Sequence, residues 1–214
     1  MKTKDFMLRY RHAVVALYFP LYMAWFMALE ARTQMKFTII HCIVDDWIPF
    51  CEYFIVPYML WFLYVLGTMV FLFFQWDDIK NFYHTAAVLI IGMTVCLIIY
   101  TVFPNGQNMR PLTFARDDIF TKMISALYHT DTATNVLPSL HVYNSLAIHA
   151  GIYRCKTLRQ KPWISTCSLI LCILICLSTM FLKQHSFLDF ITAALLFILI
   201  ETLVKRIPYF REQS

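Results

Sequence analysis

Apolar residues along this chain fall in long unbroken runs, separated by short polar stretches. A helix on the surface of a soluble domain carries an apolar stripe and a polar face, and a barrel strand alternates in polarity over about ten residues. The runs here are about twice that strand length and lack a polar face, which predicts helices surrounded by lipid or by other helices. Crossing roughly 30 Å of hydrocarbon at about 1.5 Å per residue takes about 20 such residues. Six stretches qualify, near 12–30, 52–75, 83–103, 138–153, 163–183 and 185–205. The fourth is short and carries Asn144, Ser145 and His149, so it is expected to face other helices. The fifth and sixth meet at Lys183, Gln184 and His185, which predicts a tight antiparallel pair. Pro20 and Pro57 fall inside predicted spans, where neighbouring helices can satisfy the freed carbonyls. The first run reads as a span: it is too long for a cleavable leader, and no small-residue cleavage site follows it. The pattern predicts an all-α, polytopic membrane protein, a six-helix bundle forming one domain over 1–214.

Charge adds an orientation. Only 14% of residues are charged, against about 25% in soluble domains, and 60% are hydrophobic. With six spans both termini share a side. That side carries twelve Lys and Arg, among them Lys2, Lys4, Arg9, Arg11, Arg154 and Lys205, against six on the other. The excess of basic residues marks the cytoplasmic side, so both termini are expected there. The net charge of +5 then reflects topology and attraction to anionic headgroups rather than a nucleic-acid partner. Segments 31–51 and 104–137 fall on the extracytoplasmic side. In the second, Ile119, Phe120, Met123, Ile124, Leu127 and Tyr128 recur at helical spacing behind Asp117 and Asp118, either of which suits a cap. A short amphipathic helix on the outer interface is expected, serving as a connector or as a lid. The seven cysteines form no zinc pattern; Cys42 and Cys51 share the outer side and could pair.

Polar groups at membrane depth cost about 2.5–3.5 kcal/mol for a centred charge on insertion scales, and so mark function. That criterion selects one cluster: Arg110-Pro111, Pro138-Ser139-Leu140-His141, and Lys183, His185 and Asp189. Pro138 suits a first helical position, which would place Ser139 and His141 in a first turn whose free amides favour an anion. His185 and Asp189 are four residues apart and share a helix face. An aspartate on one imidazole nitrogen fixes the tautomer and leaves the other nucleophilic. The alternative is a His-Asp pair that merely satisfies itself, yet His141 and His185 each begin a span from the same side and so share a depth. Arg110 and Lys183 offer cations to a phosphoryl group, or to lipid headgroups. His12, His41, His84, His129 and His149 have no partner at catalytic spacing and read as structural.

These elements resemble those of the type 2 phosphatidic acid phosphatase superfamily, whose members carry K-x6-R-P, P-S-x-H and S-R-x5-H-x3-D on a six-span bundle. The matches are Arg110-Pro111, Pro138 to His141, and Ser178 with His185 and Asp189. The lysine and one arginine of that pattern are replaced by Phe103 and Thr179. Those absences, the Pro138-Ser139-Leu140-His141 run and the Thr179-Met180-Phe181-Leu182 run look like the branch containing inositol phosphorylceramide synthase. Asp45-Asp46-Trp47-Ile48-Pro49-Phe50 also looks like an element of that branch. The resemblance implies His185 as nucleophile, Asp189 as its partner and His141 as acid and base. Arg110, Ser139 and Lys183 would bind phosphate, with no metal or cofactor. It implies a phospholipid or lipid phosphate substrate, with phosphotransfer favoured over simple phosphatase action. A non-catalytic lipid carrier or flippase is the rival from another class.

Overall fold

The structure, a computed structural model, describes residues 11–32 and 36–211; Lys2, Lys4 and Arg9 of the charge argument lie outside them. The described residues form ten α-helices. α1 is Tyr18–Glu30, entered through a 3-10 segment Arg11–Leu17, and α2 is the short Ile43–Trp47. α3 is Ile55–Phe73, α4 Ile79–Val102 and α5 Ile119–Thr130. α6 is Leu140–Arg154 and α7 Lys156–Arg159; α8 is Pro162–Phe181, α9 Phe187–Arg206 and α10 Pro208–Arg211. Two-residue strands β1 (Thr38–Ile39) and β2 (Asn105–Gly106) pair in parallel.

Among the described residues, five helical stretches are long and apolar enough to cross a membrane. They are His12–Glu30, Glu52–Phe73, Trp76–Val102, Pro162–Phe181 and Phe187–Arg206. The remaining expected span, α6, has 15 residues, about 22 Å of helix at 1.5 Å per residue. It is the hub of the bundle, packed against α3, α4, α8 and α9. Val142, Tyr143, Asn144, Ser145, Ala147 and Ile148 are all buried, which is how this helix carries polar residues without showing them to lipid. Two glycines let α4 and α6 approach closely. A Cβ on Gly92 would stand 1.8 Å from the Tyr143 ring, and one on Gly151 2.7 Å from the Thr85 hydroxyl.

The structure refines several local expectations. Pro20 and Pro57 lie inside the spans His12–Glu30 and Glu52–Phe73, each as the third residue of its α-helix, directly after a 3-10 segment. The apolar stripe of α5 docks on the end of the bundle, with Ile124 fully buried against Ile55, Tyr58 and Leu182. Asp118 is its cap, accepting the Thr121 amide at 2.9 Å while Thr121 Oγ1 accepts the Asp118 amide. Cys42 and Cys51 are free thiols.

Candidate active site

The site forms where the starts of α6 and α9 meet under α5. Pro138 precedes α6 rather than opening it: the Leu137–Pro138 peptide is cis, Ser139 is the N-cap, and the helix begins at Leu140. The Ser139 hydroxyl is wholly buried and accepts the Val142 amide at 3.4 Å, so it caps the helix rather than lining an open seat. The Ser139 amide donates to the Asp189 carbonyl at 3.2 Å, which ties the two helix starts together.

His185 lies in the turn between α8 and α9. Its Nδ1 is 3.0 Å from the Val136 carbonyl and 3.2 Å from Asp189 Oδ2. Both neighbours are acceptors, so Nδ1 carries the proton and Nε2 keeps its lone pair. Asp189 is completely buried; its Oδ2 also accepts the Ser186 amide at 2.8 Å, while Oδ1 has no hydrogen-bond partner among the described residues. His141, on the first turn of α6, is held by rings. Tyr58 stacks on it at 4.5 Å between centroids and Trp61 leans on it at 4.3 Å. The His141 and His185 rings are 5.8 Å apart, close enough for both to touch one phosphoryl group.

The cations are placed less directly. Arg110 donates to the carbonyls of Tyr128, Asp131 and Thr132 and to Gln184 Oε1, and its guanidinium lies 4.6 Å over the Tyr128 ring. The first three acceptors cluster at the C-terminal end of α5, where a cation is favoured. Through Gln184, Arg110 stands one residue from His185. Lys183 Nζ donates to the carbonyls of Asp45, at 2.8 Å, and Ile48, both at α2 and the turn leaving it. Burial lowers the Lys183 ammonium pKa, against the opposing pull of Asp45 and Asp46. Five expected site residues thus converge, while the Lys183 ammonium engages a neighbouring turn.

Sequence reasoning passed over several residues that build this site. Asn105 accepts the amides of Val136 and Leu137, both at 2.8 Å, and so holds the segment whose Val136 carbonyl meets His185. Its signal was the Pro104-Asn105-Gly106 turn signature. Tyr58 and Trp61 sit three apart within an all-apolar run, where nothing separates a wall of the site from ordinary packing. Tyr58 donates to Asp131 Oδ2 at 3.2 Å. Burial raises the Asp131 carboxyl pKa, and His185 and Arg110 pull it down.

A helical bundle with a paired-histidine, single-aspartate site at one end defines the class. The chain belongs to the PAP2 superfamily: the model of that family matches residues 106–213, half of its length. All six residues expected at the site lie within the match, and Asp45, Tyr58, Trp61 and Asn105 lie before it. Members of this superfamily are typically phosphatases or phosphotransferases, and with five helices of spanning length the match points to an integral membrane protein. No curated protein and no solved structure is significantly similar to the chain.

Proposed function

We propose that the protein is an integral-membrane lipid phosphotransferase working through a phosphohistidine on His185. The observation that carries this reading is the pair of acceptors on His185 Nδ1, Val136 O at 3.0 Å and Asp189 Oδ2 at 3.2 Å. They leave Nε2 free beside His141. In the first step Nε2 attacks the phosphorus of a lipid-linked phosphate and the P–O bond to the leaving alcohol breaks. His141 gives its proton to that oxygen, and Asp189 stabilises the imidazolium form of His185. In the second step His141 takes a proton from the acceptor hydroxyl, whose oxygen displaces His185. Charge on the phosphoryl oxygens is met by the first-turn amides of α6 and by Arg110, once its donors exchange protein carbonyls for phosphate. Ser139 acts through its cap and Lys183 through its turn.

The acceptor decides between two outcomes. Transfer to an alcohol, as in an inositol phosphorylceramide or sphingomyelin synthase, is favoured by Phe103 and Thr179 standing where the phosphatase pattern has cations. Thr179 is fully buried, and its carbonyl accepts the amides of Gln184 and His185. Water as acceptor would make the same residues a lipid phosphate phosphatase. In this reading α6 completes a sixth crossing within the bundle, both termini are cytoplasmic and the site is extracytoplasmic. Purified protein given a panel of phospholipids, with and without alcohol acceptors, tests it. Headgroup exchange exceeding phosphate release supports transfer; release unaffected by any alcohol supports the phosphatase; neither contradicts both.

A further inference from the structure

The run Asp45-Asp46-Trp47-Ile48-Pro49-Phe50 lies before the family match and has no part in the steps above. Its first carboxylate is nevertheless deeply engaged, with Asp45 only 3% exposed. Oδ1 accepts the Phe187 amide at 2.7 Å, and Oδ2 accepts the Ser186 hydroxyl at 2.6 Å and the Cys42 amide at 2.8 Å. Ser186 and Phe187 directly follow His185. In the opposite direction, Lys183 Nζ reaches the Asp45 and Ile48 carbonyls. The residues on both sides of His185 are therefore tied to one short segment. The Cys51 amide adds a bond to the Phe181 carbonyl at 3.0 Å, and Phe54 stacks on Phe181 at 4.4 Å.

A loop that merely joined two spans could leave its carboxylates in water. Burying an ionised one is costly unless every oxygen is hydrogen-bonded, and here the bonds are aimed at the turn carrying the nucleophile. That turn needs outside support: Lys183 has φ 54°, the left-handed region that a residue with a Cβ rarely adopts. Ser186 is held from two sides, its hydroxyl by Asp45 and its amide by Asp189, the carboxylate that also orients His185.

We propose that Asp45 is a positioning residue for His185, and that Lys183 ties the same turn from its other side instead of binding phosphate. The proposal rests on the phosphohistidine reading, because it assigns Asp45 to the placement of that nucleophile. A displacement of about 1 Å at a reacting group can cost about 10²-fold in rate.

The test uses Asp45→Asn and Lys183→Met in the purified full chain. In Asn a single oxygen cannot serve donors on both sides of the group. Three quantities are read: the single-turnover rate of phosphoryl-enzyme formation from a lipid phosphate, the Kd of a non-hydrolysable lipid phosphonate, and Tm. Each variant is expected to slow phosphoryl-enzyme formation about 10- to 100-fold per folded molecule with Kd within about twofold. The double variant should be less impaired than the product of the two, because both cut one clamp. A Lys183→Met variant whose Kd weakens about tenfold returns that ammonium to the phosphate and overturns the proposal. So does an Asp45→Asn variant that melts early yet forms phosphoryl-enzyme at the normal rate. If Asp45→Asn does not fold, Lys183→Met decides by the same criteria. Failure of the unaltered protein to form any phosphoryl-histidine is a separate result, which sinks the phosphohistidine reading and the clamp with it.

Discussion

His185 has two ring nitrogens with different tasks, and the difference comes from three neighbours: Val136 O, Asp189 Oδ2 and His141. Removing the carboxylate charge while keeping its shape isolates one of them. Asp189→Asn is expected to lower turnover by orders of magnitude while lipid binding and Tm stay nearly unchanged; the related change in a Ser-His-Asp triad costs about 10⁴ through the wrong tautomer. An Asn variant that melts early but turns over normally per folded molecule would make the pair structural. Asp45 allows a second residue-scale test. Burial pushes its carboxyl pKa up, but hydrogen bonds from Ser186, Phe187 and Cys42 outweigh burial and hold it below its ordinary value. A carboxyl lowered in the folded state contributes stability that is complete above its unfolded value, near 4, and lost as pH falls through its folded value. Tm of the unaltered protein should therefore fall more steeply below about pH 4 than Tm of Asp45→Asn. Parallel curves would remove this role. The pairing of His185 with Asp189 was legible in their four-residue spacing, although His185 stands in the turn before α9 rather than on its face. The engagement of Asp45 with Ser186 was not, because 141 positions separate them and no local pattern encodes such a contact.

Each helix shows why some placements could be read and others could not. The long runs of α3, α4, α8 and α9 announce themselves through length, whereas α6 is short and polar and is betrayed mainly by its Pro-Ser start. Periodicity located α5 and Asp118, but not which surface the stripe would meet; lipid and the bundle end are equally apolar partners. The approach of α4 to α6 rests on Gly92, above which the Tyr143 ring lies with its hydroxyl donating to the Val88 carbonyl at 2.7 Å. Gly92→Ala is expected to force that ring aside and destabilise the bundle by about 1–3 kcal/mol, the usual cost of overpacking a filled core. Thermal unfolding in detergent measures it. An unchanged Tm would mean that the two helices separate at little cost.

At the scale of the whole molecule the account requires one face of the membrane to hold the chemistry. Leu112 is fully exposed on the segment over the site, and Gln160 is exposed at the other end, between α7 and α8. In a cysteine-free background, an impermeant thiol reagent should label Leu112→Cys from outside intact cells and Gln160→Cys only after permeabilisation. The reverse would place the site in the cytoplasm and overturn the charge argument. The far end of the bundle has its own polar network, in which Glu201 meets Arg154, His84 at 3.2 Å and Lys205 at 3.3 Å. Glu201, His84 and Arg154 are largely buried in it and Lys205 is exposed, without the paired imidazole rings that mark the site. The central claim is that His185 becomes covalently phosphorylated, and rapid acid-free quenching of protein mixed with lipid bearing labelled phosphate tests it most directly. The account predicts label stable to base and labile to acid, mapped to His185, absent from His185→Ala and discharged by an acceptor alcohol. Turnover with no protein-bound label at any quench time, or label that persists in His185→Ala, would contradict it.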